Sequence, residues 1–145
     1  MDPTVARLNT PDDCEQYVAN VAEKYPELAQ QARRRSVELR AAAHGAKSDA
    51  EREALQVIYA YEEALFLKHG KRIKANYTWR MIRDSSIIEA VEHAAKQPHD
   101  PSGYTALKKM GMKDLTFEAV VLRHPQAFSA EAIERSKQRL KEWEE

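Results

Sequence analysis

The chain is predicted to be all-α. It should form a single-domain bundle of about six to seven helices around one long antiparallel helical hairpin, residues 26–69. Three observations carry this. Apolar residues recur at about 100° per residue along most stretches, the helical period. Ala, Glu, Lys, Arg and Leu, all strong helix formers, dominate the composition, and four Gly and six Pro in 145 residues leave little material for β-turns. Start and stop signals also bracket the central stretch, Ser48 to His69. The expected organisation is a flexible start over 1–9, a hairpin half over 10–70 and a short-helix half over 71–145.

The central stretch opens on a capping box, Ser48 with Glu51, and stops at Gly70. Ala50, Ala54, Val57, Ile58, Tyr61, Ala64 and Leu65 form one apolar stripe, and Leu55, Tyr59 and Phe66 form a second beside it. Together they cover roughly 200°, about twice the stripe of an ordinary surface helix. Such a helix needs neighbours on two sides.

Upstream, Thr10-Pro11-Asp12-Asp13 reads as a cap, an N1 proline and acids suited to the helix dipole. Cys14, Tyr17, Val18, Val21 and Tyr25 follow at helical spacing. Pro26 begins a second helix that ends at His44-Gly45, with Leu28, Ala32, Leu39 and Ala43 on one face and Arg35 among them. Arg33 and Arg34 point elsewhere. Glu62 falls inside the apolar arc of the central helix, so Arg35 and Glu62 are expected to pair across the hairpin. The pair can simply staple the core, or it can mark a site.

Downstream, a short helix is expected over Asn76–Asp84 and an amphipathic one over Ile87–Gln97, whose wet side carries Glu89–His93 and Glu92–Lys96. Residues 98–103 read as a loop. Tyr104–Met110 is a short helix closed by Gly111, and Lys113–His124 is the most apolar helix, with Glu118 inside its apolar part. The last helix is capped by Ser129, with Phe128 stapled onto Ile133. Its thin stripe, Ile133, Leu140 and Trp143, suits an outer position or a second chain.

Several function classes lose support. There are 23 basic and 23 acidic residues, which argues against a polyanion binder acting through net charge. No Gly-rich phosphate loop, HExxH or Glu-x-x-His pair is present. No metal or other cofactor is expected. The five histidines are scattered, three at helix C-termini, where they suit the dipole. Cys14, the one cysteine, has no neighbouring base to activate it. It points to a reducing, cytoplasmic setting. No apolar run approaches ~20 residues, so no membrane partner is expected.

The strongest lead is the segment from Lys68 to Arg83. Its six cations, Lys68, Lys71, Arg72, Lys74, Arg80 and Arg83, have no acid between them. Tyr77 and Met81 face one way on the short helix, and Trp79 faces the other. Lys71, Arg72, Lys74, Arg80 and Arg83 are therefore candidates for phosphate contacts, and Trp79 for base stacking. The N-terminus of this helix is a further anion site. The plain reading is a solvated loop with Trp79 in the core. A helix-turn-helix role for the next helix is disfavoured by Glu89 and Glu92. The expected function is a non-enzymatic helical protein that binds nucleic acid or another phosphate-bearing ligand. The alternative is a protein–protein interaction or homodimerisation module. An enzyme is held as a third class on Arg35, Glu62 and Glu118, the charged residues expected to be buried.

Overall fold

The computed structural model describes residues 1–97 and 101–144, and every regular element among them is helical. In chain order they are α1 (Pro3–Ala6), α2 (Pro11–Val21), α3 (Pro26–His44), α4 (Asp49–His69), α5 (Asn76–Asp84), α6 (Ile87–Lys96), α7 (Ser102–Lys109), α8 (Phe117–Arg123), a 3₁₀ turn (Pro125–Ala127) and α9 (Ala130–Glu144). α7 and α8 fall in stretches already expected to be helical. The helix that the sequence did not mark is α1, whose four residues make barely one turn, too short to show an apolar stripe. The start of the chain, expected to be loose, is tied down: Asp2 caps α1 and Val5 is fully buried. In the expected 98–103 loop, Pro98, His99 and Asp100 lie outside the described residues, and Ser102 and Gly103 already belong to α7.

The predicted caps form: the Ser48 hydroxyl accepts from the Glu51 N–H at 3.2 Å, the Thr10 hydroxyl from Asp13 and the Ser129 hydroxyl from Ala132. The Glu51 carboxylate closes its box one residue earlier than expected, on the Lys47 N–H, and Ser86, which the sequence reading did not single out, caps α6 by accepting from Glu89. Gly70 ends α4 at φ 73°, where a side chain would be strained. The apolar helix expected from Lys113 begins only at Phe117. Thr116 is its cap, accepting from the Ala119 N–H at 3.1 Å, so the start signal lies three residues inside the expected helix.

α4 is packed nearly all round. Val57, Ala60 and Ala64 join Val37 of α3, Leu107 of α7 and Val120 of α8 in one apolar cluster, while Ala54 joins Val91, Ala95, Val121 and Ala132 in another. Leu55 is fully buried, and Tyr59 and Phe66 are half-buried. Tyr61 is the exception. It sits mid-stripe yet is 42% exposed, at the mouth of a small cleft of about 80 Å³ with Trp143 and Tyr104.

α3 buries a different side from the one expected. Its buried residues are Ala29, Ala32, Ser36, Val37 and Ala41, a face turned about 90° from the Leu28/Leu39 line. Small side chains let α2 and α4 approach closely there. Arg33 and Arg40 lie on the same side, each with a buried Nε. Apolar size marked the wrong face because alanine, serine and arginine stems form the true one.

No helix among the described residues is long and apolar enough to cross a membrane.

Candidate functional site

The basic segment leaves α4 at Gly70 and turns back along that helix. Glu62 holds it there. The Glu62 carboxylate accepts from the Ala75 N–H at 2.8 Å and from the Trp79 indole Nε1 at 2.7 Å. The anion at the N-terminus of α5 is therefore a side chain of this chain, and the vacant anion site expected there is filled. Trp79 stacks on His44 with centroids 5.2 Å apart and lies 5.2 Å from Tyr59, whose hydroxyl is 3.2 Å from His44 Nδ1. Trp79 is half-buried in this aromatic cluster, on the side of α5 turned to α3 and α4.

The expected Arg35–Glu62 pair does not form. Arg35 Nε donates to the Leu8 carbonyl at 3.1 Å and so ties the first residues of the chain to α3. Arg35 was placed on the α4 side of α3 by the Leu28/Leu39 face, and the rotation of the true face turns it toward residue 8 instead.

A second acid, Glu63, does the pairing. Its side chain is 8% exposed and it accepts from Arg72 at 2.7 Å, while Arg72 also reaches Glu15 of α2 at 3.1 Å and lies 3.9 Å over the Phe66 ring. Arg33 lies in the same field; burial pushes its guanidinium down from its ordinary value and Glu63 opposes this. Sequence reading missed Glu63 because it falls outside both apolar stripes of α4. The available signal was the absence of acids in 68–83: cations drawn against a packed helix need an acid from that helix.

Outward on the segment stand Lys68, Lys71, Lys74, Tyr77, Arg80 and Arg83, all exposed, Tyr77 at 69%, the highest of the large hydrophobic side chains in the described residues. Lys74, Tyr77 and Arg80 follow one another at spacings of three, so they share one side of α5 and its lead-in. No ion pair or hydrogen bond engages the side chains of Lys71, Lys74 or Arg80 among the described residues, and Arg83 touches only its neighbour Asp84 at 3.4 Å. Of the six residues singled out from sequence, Arg72 and Trp79 are thus turned to internal partners, and Lys71, Lys74, Arg80 and Arg83 face solvent.

The other candidates have structural partners. Glu118 is buried, as expected, and pairs with Arg139 at 3.0 Å. Arg139 also donates to the carbonyls of Ala94 and Gln97, so the pair joins α8, α9 and the end of α6. Glu92 accepts from both the N–H and the hydroxyl of Ser129, clamping the start of α9. Glu53 accepts from Arg123 at 2.5 Å and His124 at 2.6 Å; burial pushes its carboxyl up, but these bonds outweigh that and hold it below its ordinary value. Cys14 is fully buried, and desolvation pushes its thiol up, away from nucleophilic use. No three His, Cys, Asp or Glu side chains gather into a metal-binding group among the described residues.

No protein-family model, curated protein or solved structure matches the chain.

Proposed function

We propose that this chain is a non-enzymatic helical binding protein, one domain organised on the α3–α4 hairpin and acting in the cytoplasm. It contacts nucleic acid or another polyanion through the outward side of α5 and the turn before it. One observation carries the reading. Tyr77, the most exposed large hydrophobic side chain, stands between Lys74 and Arg80, and neither cation has an internal partner among the described residues. An aromatic face flanked by free cations suits a stacked base between neutralised phosphates. The stacking role passes from Trp79, which is engaged by Glu62 and His44, to Tyr77. Because so few cations remain, binding is local and modest.

The homodimer alternative has less to rest on. Two of the three residues of its candidate stripe on α9 are engaged inside the chain: Ile133 packs in the Val91/Val121 cluster and Trp143 lies 5.3 Å from the Tyr104 ring. The deciding experiment is fluorescence anisotropy with labelled single-stranded DNA and RNA and with a duplex, across salt. With Lys71, Lys74 and Arg80 as the contacts, log affinity for single strands should fall against log salt with a slope of about −2. Lys74→Glu/Arg80→Glu should abolish binding, and Tyr77→Ala should cost about 1–3 kcal/mol. Binding indifferent to the charge reversal, or none at low salt, overturns the reading.

A further inference from the structure

We infer that the trough between the last turn of α4 and α7 is a docking groove for an acidic, amphipathic helical segment of another protein. Two helical ridges form it. Ala64, Leu67 and Lys68 follow at i, i+3 and i+4 on α4, and Ala106, Lys109 and Met110 do the same on α7 and its cap. The open volume between them is about 640 Å³, and its surface is mostly apolar. Leu67 is 49% exposed there, whereas Leu55 two helical turns or more upstream is fully buried. The trough therefore presents a leucine and a methylene-rich floor that nothing else in the described residues covers.

Charge selects the occupant. Among the described residues, two ammonium groups, Lys68 and Lys109, line the trough, no carboxylate does, and neither ammonium has an internal acid partner. In a chain of zero net charge this is a local cationic frame around an apolar slot. A helix with a Leu-like stripe and Asp or Glu on its flanks fits both features, the helix-in-groove mode of recognition. A basic helix would be repelled. The trough offers no aromatic platform for a base. A second copy of the chain has little to insert: α5, the helix of eight or more residues with no buried side chain among those described, carries Arg80 and Arg83.

Random 12-residue peptides displayed on phage, selected on the full chain and then synthesised with a fluorophore, test this. Selected peptides should carry two large apolar residues three or four apart with acids beside them. Leu67→Asp and Lys68→Glu/Lys109→Glu should each weaken binding of such a peptide about tenfold or more. Lys74→Glu/Arg80→Glu should leave it unchanged, which separates this groove from the α5 surface. Failure to enrich any peptide, enrichment of sequences without acids, or binding untouched by both groove variants overturns the inference. So does a concentration-dependent dimer in sedimentation that Leu67→Asp dissolves, which would give the trough to a second copy.

Discussion

The indole N–H of Trp79 donates to the Glu62 carboxylate at 2.7 Å, and the same oxygen accepts from the Ala75 N–H. One acid on α4 thus fixes both the start of α5 and its inward ring. This relation decides which residues of the basic segment can meet a ligand. It turns Trp79 toward His44 and Tyr59 and so turns Tyr77, two positions earlier, outward.

Glu62→Ala should therefore be destabilising by about 2 kcal/mol, since two donors lose their acceptor and must find water in a half-buried site. Trp79→Phe keeps the ring stack but drops the donor, and should cost about 1 kcal/mol. Urea denaturation followed by circular dichroism measures both. Trp79→Phe should also leave polyanion affinity intact while Tyr77→Ala lowers it. The reverse order would return the stacking role to Trp79.

The Arg72–Glu63 contact makes a sharper energetic claim. Glu63→Ala leaves Arg72 beside a packed helix and removes the acid that offsets Arg33. Arg72 is 37% exposed and keeps Glu15, so the loss should be about 2 kcal/mol, less than for a fully enclosed pair. Glu63→Ala/Arg72→Met should recover part of it, because the stranded charge is gone. A double-mutant cycle reads the coupling directly. If the two single losses simply add, the pair is not a coupled unit.

Much of the helical framework was legible, because caps are local. Ser48, Thr10, Ser129 and Gly70 each act within a few residues of themselves, and their chemistry reads directly from the chain. The width of α4 was legible too, from its two stripes. The partners of the charged residues were not. Arg35 was assigned to Glu62 by assuming that the larger aliphatics of α3 face inward, and the buried side is instead alanine, serine and arginine stems. That choice depends on how closely α2 and α4 approach α3, a distance between segments that no local pattern states. The candidate surface followed the same rule. The cationic run was visible, but which of its members are consumed by Glu62, Glu63 and Glu15 depends on where the turn after Gly70 sends the chain.

Two carboxylates predict how the fold responds to acid. Glu53 lies below its ordinary 4.5 because the bonds from His124 and Arg123 outweigh its burial. Asp114 lies below its ordinary 3.8, chiefly through hydrogen bonds from Arg34 at 2.9 and 2.5 Å. In the folded state both bind protons less readily than in the unfolded chain. Their contribution is therefore complete above those ordinary values and is lost as the pH falls through the depressed ones. The urea midpoint should show no loss from these groups between pH 6 and 5 and should fall below about pH 4.5. Glu53→Gln should be less stable at pH 7 and show a shallower decline in acid. An equal slope in that variant would mean that other groups drive the acid transition.

Cys14 provides a probe of how firmly α2 is seated. Its side chain is fully buried, and burial pushes its thiol up, so both access and thiolate supply are low in the folded protein. A water-soluble aromatic disulfide at pH 8 should label it only through opening of α2 or of the whole fold. Labelling in native buffer should be at least about a hundredfold slower than in denaturing urea, which corresponds to an opening free energy of about 3 kcal/mol or more. Glu63→Ala should speed native labelling, because Arg72 bridges Glu63 of α4 to Glu15, one residue from Cys14, and loses one end of that bridge. Arg123→Gln, acting ten residues earlier along α4 through Glu53, should change the labelling rate only as far as it changes global stability. Fast labelling of the wild-type protein would mean that α2 is not held against α3.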